Sequence, residues 1–415
     1  MDRPPRLLTF EFVGVCLVSF LALCNLTAFY DLFHYLETLG IHPGLRGLVV
    51  GGYSLTAMLL LLLASPFVHS GNVTRVMLLG IALLTVAGVS YLAVDSFWGL
   101  LGLRMIGGVG QFCLGAGAMT TLVAVIPPEK SGQAFGIYSV AILIAFAAVP
   151  ALMDTFAARV GGAAHGYAVA TLTLAPAVWI VLRIRSRQRG RLAGAARQTQ
   201  VPSWADIRAN VRQPMVLLLL VINASYFVQW TSLFFLFKGF ARQQGIANVA
   251  TFFTAQMGVM IAIRSLGGHL FDRVDKVRLA GASFTLIGLG HLALYEFPGT
   301  WATAPIAVIF GLGMGAGYPS INGFMFEVSE PRFRALNANL MLFTVQAGSF
   351  LGPVLGGALI AYGGYRSYFL FGIVLAIAAG SLVPLLARRR RLLAVQAANA
   401  IRAHTREPLS DCGTE

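Results

Sequence analysis

The sequence has little charge for its size. Only 11% of its 415 residues are Asp, Glu, Lys or Arg, whereas soluble domains have about 25%. Hydrophobic residues make up 57% of the chain, and the mean hydropathy is +0.76. A soluble fold needs polar residues to cover its core, and this chain has too few of them. The composition therefore indicates a protein that lies in a membrane.

Cysteine and the usual catalytic motifs are also scarce. The four cysteines lie in apolar stretches or near the C-terminus, and none has the spacing of a zinc site or a disulfide framework. The sequence contains no phosphate-binding glycine loop, no paired nucleophile and base, and no set of metal ligands. We therefore expect a protein that is not an enzyme and that needs no metal, cofactor or ATP.

Long apolar stretches dominate what is present. A bilayer core about 30 Å thick requires about 20 apolar helical residues. In the first half such stretches occur near Phe10–Tyr35, Gly47–Val68, Val76–Val94, Trp98–Ile126, Ala134–Met153 and Ala168–Leu182 (spans 1–6). In the second half they occur near Met215–Phe237, Ala250–Leu270, Leu279–Tyr295, Ala304–Phe326, Leu336–Ala361 and Tyr368–Ala387 (spans 7–12).

These stretches predict an all-α integral membrane protein with twelve transmembrane helices in two sets of six. We expect a first six-helix bundle at 1–183, an Arg-rich central loop at 184–213, a second bundle at 214–387 and a polar tail at 388–415.

The basic residues predict the orientation. The net charge is +14, but Arg and Lys crowd the even-numbered loops, the central loop and the termini, as at Arg75, Lys130 and Arg388. By the positive-inside rule, we expect the end with these loops and both termini to be cytoplasmic. We expect the membrane to be a cell inner membrane. The charge then contacts lipid headgroups rather than nucleic acid. We name the two ends the even-loop end and the odd-loop end.

The two halves resemble each other at an offset of about 200 residues, as in the internal repeats of secondary transporters. At this offset the loop around His69 aligns with the loop around Asp272, and Pro150 of span 5 aligns with Pro353 of span 11. These matches favour an internal duplication.

Three motifs carry a family resemblance. The loop after span 8, with Gly268, Asp272, Arg273, Lys276 and Arg278, resembles the loop signature of the major facilitator superfamily. Arg104 with Gly107, Gly108 and Gln111 is similar to the fourth-helix motif of that superfamily. Span 11 carries the pattern that marks helix 5 of its drug antiporters, at Gly348, Gly352, Pro353, Gly356 and Gly357, where we expect close helix packing.

The resemblance implies two pseudo-symmetric six-helix bundles and transport by alternating access. The sequence departs from the family pattern at His69, where the first-half loop normally has Asp, and in carrying the antiporter pattern in span 11 rather than span 5.

Ionisable residues inside the spans are candidates for function because a charge in hydrocarbon is costly. Asp31 and Arg104 lie at similar depth toward the odd-loop end, and in this superfamily helices 1 and 4 both border the central cavity. We hypothesise that they pair, so that a substrate that takes over Arg104 frees Asp31 to bind a proton. A permanent structural ion pair is the alternative. His34 lies on the face of Asp31 and is a candidate proton relay.

Polar and aromatic residues in the spans are candidates for a substrate cavity, because sparse polar groups among aromatic walls suit an apolar ligand with few polar groups. Interhelical hydrogen bonding is the alternative role for them. They are Asn25, Tyr30, Tyr53, Gln111, Asn223, Tyr226, Trp230, Gln256, Arg264, Tyr318, Asn322 and Gln346. Arg264 either contacts an anionic substrate or bridges to Glu327. A charge network at the even-loop end is expected to gate the transporter, through Asp272, Arg273, Glu327 and Arg332.

The sequence thus predicts a monomeric secondary transporter whose partners are a small-molecule substrate, protons and the lipid bilayer. The favoured function is proton-coupled export of a small amphipathic organic compound. Proton-coupled uptake of an organic anion is the alternative, supported by Arg104, by Arg264 and by the displacement of the antiporter pattern to span 11. A membrane enzyme or scaffold that does not transport is the alternative of another class.

Overall fold

The computed structural model describes residues 8–64, 68, 71–126, 131–188, 204–246, 249–266, 274–299, 302–330 and 333–404. All regular secondary structure in these ranges is helical. Ten helices are long and apolar enough to cross a membrane; one of them contains both span 11 and span 12, and span 8 adds a shorter apolar helix. The predicted all-α membrane architecture with twelve spans is confirmed.

The helices of the first half have the following bounds. Span 1 combines helix Phe10–Ala28, a 3-10 turn at Phe29–Asp31 and helix Leu32–Thr38. Spans 2–5 are Pro43–Leu63, Val73–Ser90, Phe97–Val125 and Ser131–Arg159. Span 6 consists of Ala163–Leu172 and Ala175–Gln188.

The second half begins with a short helix, Trp204–Val211. Spans 7–10 are Pro214–Gln243, Val249–Leu266, Lys276–Glu296 and Thr303–Val328. Spans 11 and 12 are two helices within Arg334–His404 that meet at a kink. Gly364 separates them with a φ of +68°, a left-handed conformation that glycine adopts without a Cβ clash.

The two halves pack in the same pattern. In the first half span 1 packs on spans 4 and 5, span 4 on spans 2 and 3, and span 3 on span 6. The second half repeats this with span 7 on spans 10 and 11, span 10 on spans 8 and 9, and span 9 on span 12. Spans 2 and 11 and spans 5 and 8 join the bundles. This pairwise correspondence is the pseudo-symmetry that the sequence offset predicted.

Local sequence explains several helix starts. Pro43 occupies the first turn of span 2, where a missing N–H costs nothing. Ser96 caps span 4 by accepting a hydrogen bond from the backbone N–H of Gly99 at 3.3 Å. Asp275 caps span 9 by accepting hydrogen bonds from the N–H groups of Val277 and Arg278, at 3.0 and 3.1 Å. Partial burial raises the pKa of Asp275, but these bonds and the Arg390 guanidinium outweigh it and lower that pKa below its ordinary value.

Small residues bring the two bundles together at the odd-loop end. A Cβ added at Gly47 in span 2 would lie 2.2 Å from the carbonyl oxygen of Pro353 in span 11. One added at Gly357 would lie 2.9 Å from the Phe33 ring. The backbones of the two bundles are therefore in direct contact here, as small residues allow in membrane proteins.

Candidate functional site

Four side chains form a charged cluster at the odd-loop end, which we call the acid–lysine cluster: Tyr30, Asp31, Asp154 and Lys238. The Lys238 Nζ lies 2.9 Å from Asp31 Oδ2 and 2.7 Å from Asp154 Oδ1. It also donates to the Tyr30 hydroxyl at 2.9 Å, and that hydroxyl donates to Asp154. Spans 1 and 5 supply both carboxylates and span 7 supplies the lysine, so the cluster ties the first bundle to the second.

The charges of this cluster do not cancel. Two carboxylates face a single ammonium group, which leaves one negative charge in excess when both acids are ionised. In addition, Asp31 Oδ1 is buried and makes no hydrogen bond. A cavity of about 60 Å³ adjoins the cluster and is lined by Met153, Tyr167 and the cluster itself. It is large enough for a water molecule. The cluster therefore has an acceptor atom without a hydrogen bond and space beside it for a water molecule, which can carry a proton to that atom.

In the structure Asp31 pairs with Lys238 and not with Arg104, the partner predicted from the sequence. The Arg104 guanidinium is buried between aromatic rings, with Cζ 4.5 Å from the ring centroid of Tyr53 and 5.2 Å from that of Phe29. It donates to the carbonyl oxygen of Val50 at 3.2 Å. Within the described ranges it forms no ion pair. The depth of Arg104 allowed the predicted contact, but its helix face turns it toward span 2 and the Phe29 ring.

The sequence interpretation missed Asp154 and Lys238 because it ended spans 5 and 7 one residue before each of them. Both residues lie inside helices, which continue to Arg159 and Gln243. Lys238 stands between the buried rings of Phe237 and Phe240. This aromatic run was the feature of the sequence that could have shown that the helix continues.

His34 belongs to a second polar group at the odd-loop end. Its Nδ1 lies 3.0 Å from Glu37 Oε2, and its Nε2 accepts from the guanidinium of Arg242 in span 7. Arg46 lies 3.8 Å from the other oxygen of Glu37. His34 is thus a neighbour of the acid–lysine cluster and a further link between the bundles.

Arg264 lies between the bundles toward the even-loop end. Its Nη1 donates to the Ser139 hydroxyl of span 5 at 3.1 Å, and its Cζ lies 5.8 Å from the Tyr318 ring centroid. Its Nε has no hydrogen-bond partner, and no carboxylate of the described residues pairs with it. The predicted bridge to Glu327 does not form, because Glu327 pairs with Lys276 instead.

Aromatic side chains form a continuous group beside Arg264. Tyr226 stacks on Tyr318 with ring centroids 6.3 Å apart. Phe227 contacts Tyr318 at 5.2 Å and Trp230 at 6.3 Å. Trp230 reaches across to Phe146 of span 5 at 5.9 Å. Three of these residues, Tyr226, Trp230 and Tyr318, are predicted cavity residues that the structure brings together.

Other predicted cavity residues serve packing within one bundle. Asn25 donates to the Thr171 hydroxyl at 2.7 Å, and Asn223 donates to the Thr344 hydroxyl at 2.9 Å. Gln256 donates to the Met314 sulfur at 3.1 Å. These three side chains are buried, which favours the interhelical alternative for them.

Like Arg264 and Tyr318, the remaining predicted cavity residues Gln111, Asn322 and Gln346 are partly exposed. Gln111 Oε1 makes no hydrogen bond, as expected of a group that could meet a ligand.

The antiporter-like motif packs against span 7. A Cβ at Gly348 would lie 2.6 Å from the Ala224 carbonyl oxygen, and one at Gly352 would lie 2.6 Å from that of Val228. A Cβ at Gly356 would lie 2.5 Å from the Leu236 side chain, at Cδ1. Of the predicted gating residues, Asp272, Arg273 and Arg332 lie outside the described residues. Within the described ranges, no group of three His, Cys, Asp or Glu side chains could hold a metal ion.

Comparison with known proteins agrees with this architecture. A sequence model of the Major Facilitator Superfamily matches residues 15–280 and 245–409. The chain belongs to the Major Facilitator Superfamily. It is therefore a multi-pass membrane protein of a transporter family, as the motifs around Arg104 and Asp272 implied.

One curated relative of this superfamily member is the 3-(3-hydroxy-phenyl)propionate transporter of Escherichia coli (strain K12). The two chains are 32% identical over 157 residues. The match covers 35% of this chain and 37% of the relative, so it spans little more than a third of either protein.

Solved transporters of the superfamily share the fold over nearly the whole chain. A bacterial homologue of the human lysosomal transporter Spinster, in an inward-facing and occupied conformation, has a TM-score of 0.71 at 15% identity, covering 94% of this chain and 98% of its own. The nucleoside transporter NupG has a TM-score of 0.73 at 12% identity, covering 91% and 99%. At these identities the likeness concerns the fold alone.

Proposed function

We propose that the chain is a proton-coupled secondary transporter that takes up a small organic anion with an aromatic or apolar body. The observation that carries this proposal is the environment of Arg264. It is a cation in a membrane span, with an unbonded Nε and no carboxylate partner in the described ranges. A charge in a membrane span is energetically costly unless an opposite charge compensates it. An anionic substrate that reaches Arg264 supplies that compensation.

The neighbourhood of Arg264 suits the rest of such a substrate. The Arg264 Cζ lies 5.8 Å from the Tyr318 ring centroid, and Tyr226, Phe227 and Trp230 continue the aromatic surface from that ring. Ring stacking and a single charged anchor are the contacts that an aromatic carboxylate needs. The curated relative is named as a transporter of 3-(3-hydroxy-phenyl)propionate, which is an aromatic carboxylate, and this supports the same class here.

The acid–lysine cluster provides the coupling that we propose. When the odd-loop end opens, Lys238 moves away with the second bundle, while Asp31 and Asp154 stay together on the first. Two carboxylates without their ammonium group hold two negative charges in the membrane, and proton uptake reduces that cost. On closure Lys238 returns between them and displaces the proton toward the other side. Substrate bound at Arg264 crosses in the same movement.

We further propose that the even-loop end and both termini are cytoplasmic, that the protein is a monomer in a cell inner membrane, and that the bundles divide at the central segment 184–213. The sequence favoured export, although the glycine pattern of drug antiporters lies in span 11 rather than in span 5, a displacement that supported uptake. Since Gly348 and Gly352 pack on span 7, that pattern adds no support for export, which stays a prediction.

Uptake into proteoliposomes tests the proposal. We expect labelled 3-(3-hydroxyphenyl)propionate, or another aromatic carboxylate of a panel, to accumulate when a pH gradient is imposed and not when it is collapsed. Arg264→Gln should raise KM at least tenfold, because a charged hydrogen bond contributes about 1.5–3 kcal/mol. Arg366→Gln, a control at an exposed arginine of the odd-loop end, should leave uptake unchanged. If Arg264→Gln transports with the wild-type KM, the anion site lies elsewhere. If only cations or neutral compounds accumulate, the substrate class is wrong.

A further inference from the structure

A large groove lies between spans 9 and 12, away from the cluster and from Arg264. Its volume is about 770 Å³. Most of its lining is apolar or small and comes from facing positions of the two helices, including Gly281, Phe284, Leu289, Ala376, Ile377 and Gly380. The groove exists because small residues face each other along these helices, so that no long side chain fills the space between them.

The outer wall of this groove is exposed apolar surface. The side chain of Leu289 is 48% exposed and that of Ile377 is 66% exposed. Span 9 packs on spans 10 and 12 of its own bundle. In a membrane protein, exposed apolar surface on the outside of a bundle faces lipid chains. Whatever fills the apolar part of the groove therefore comes from the bilayer side.

Charged residues line the end of the groove near the start of span 9. They are Arg278 and Arg390 with one acid, Asp275, and the exposed Arg388 and Arg389 follow on span 12. Both oxygens of Asp275 are already engaged, Oδ1 by the backbone N–H groups of span 9 and Oδ2 by Arg390. Arg278 forms no ion pair with any described residue. Among the described residues, this end is thus positive, and Arg278 is a cation without an ion pair.

From this arrangement we infer that the groove between spans 9 and 12 binds an anionic glycerophospholipid of the surrounding bilayer. Its phosphate lies at Arg278 and Arg390, and one acyl chain extends between Gly281 and Ile377. A phospholipid has a charged headgroup followed by long apolar chains. The groove has the matching order, with arginines at one end and small apolar residues along its length. Each arginine near the membrane surface contributes about fivefold to the affinity for an anionic lipid.

Native mass spectrometry of the full chain in detergent tests this inference. With phosphatidylglycerol added, we expect one retained lipid per protein and a clear preference over phosphatidylcholine. Arg278→Gln should weaken that retention about fivefold. The control Arg185→Gln, an exposed arginine of span 6 outside the groove, should change nothing.

A second variant separates the acyl chain from the headgroup. A Cβ at Gly281 would lie 3.7 Å from Val383, which is an ordinary contact, so Gly281→Leu should fold and place its side chain in the groove. It should abolish the retained lipid. Gly102→Leu, at a glycine of span 4 with open space around it, is the control.

Three outcomes would overturn the inference: retention unaffected by Gly281→Leu, equal retention of phosphatidylcholine, or full competition by glycerol phosphate, which carries the headgroup chemistry without chains.

Discussion

At the scale of single residues, Lys238 holds the acid–lysine cluster together. One ammonium group contacts two carboxylates and a phenol, and it is the only member of the acid–lysine cluster from the second bundle. Removing any one of the three charged side chains changes both the charge of the cluster and the contact between bundles. The two effects can be separated by choosing a variant that keeps the hydrogen bonds but removes a charge.

Asp154→Asn is such a variant. The cluster then has one carboxylate and one ammonium, so it has no excess charge to attract a proton. With a gradient of one pH unit, one coupled proton supports about tenfold accumulation. We expect Asp154→Asn to lose this accumulation while it retains substrate counterflow, measured in the same proteoliposomes.

Asp31→Asn should have the same effect, because it also removes one negative charge from the cluster. Asp95→Asn, at an exposed acid of the same end, is the control. Accumulation that persists in both cluster variants would move the coupling to His34 or to the Arg264 region.

At the scale of helices, the contact between spans 2 and 11 sets how closely the bundles approach. Gly47 has no room for a methyl group, since the added Cβ would lie 2.2 Å from a backbone oxygen of Pro353. A backbone atom cannot move aside as a flexible side chain can. We expect the cost to fall on the state in which the odd-loop end is closed, because opening that end moves the two spans apart.

Gly47→Ala should therefore shift the population toward a state open at the odd-loop end. Overpacking costs about 1–3 kcal/mol, which corresponds to a shift in the population ratio of about fivefold or more. Spin labels at Leu92 and Tyr362, which are exposed on opposite bundles, should report a longer distance in double electron–electron resonance. Gly102→Ala should leave the distribution unchanged. An unchanged distance distribution in Gly47→Ala would contradict the idea that the contact between spans 2 and 11 controls closure of the odd-loop end.

At the scale of the whole molecule, labelling tests the orientation predicted from the basic loops. In a variant without native cysteines, single cysteines at Gly71, Gln133 and Arg197 should resist an impermeant thiol reagent in intact cells. Cysteines at Gly44, Gly162 and Gly299 should react. The opposite pattern would place the acid–lysine cluster at the cytoplasmic end and reverse the proposed direction of proton movement.

Much of the fold could be predicted from the sequence, because apolar length alone identifies a membrane span. The site could be predicted less well, for two physical reasons. Helices extend beyond their apolar core, so Asp154 and Lys238 are structural parts of spans although they lie at the edge of the apolar stretches. The depth of a residue along a helix also does not determine which way its side chain points around the helix axis. Asp31 and Arg104 were predicted at similar depth, but helix packing turns Arg104 toward Tyr53.

The position of the acid–lysine cluster has a consequence for membrane voltage. Asp31 lies seven residues before the end of span 1 at Thr38, which is about 10 Å along a helix. A proton that enters the cluster from the odd-loop end therefore crosses only about a third of a 30 Å core. A full crossing of one charge involves about 2.3 kcal/mol per 100 mV. Binding from that side should depend weakly on voltage, and most of the electrical work should fall on the step that carries the proton from the cluster to the opposite face.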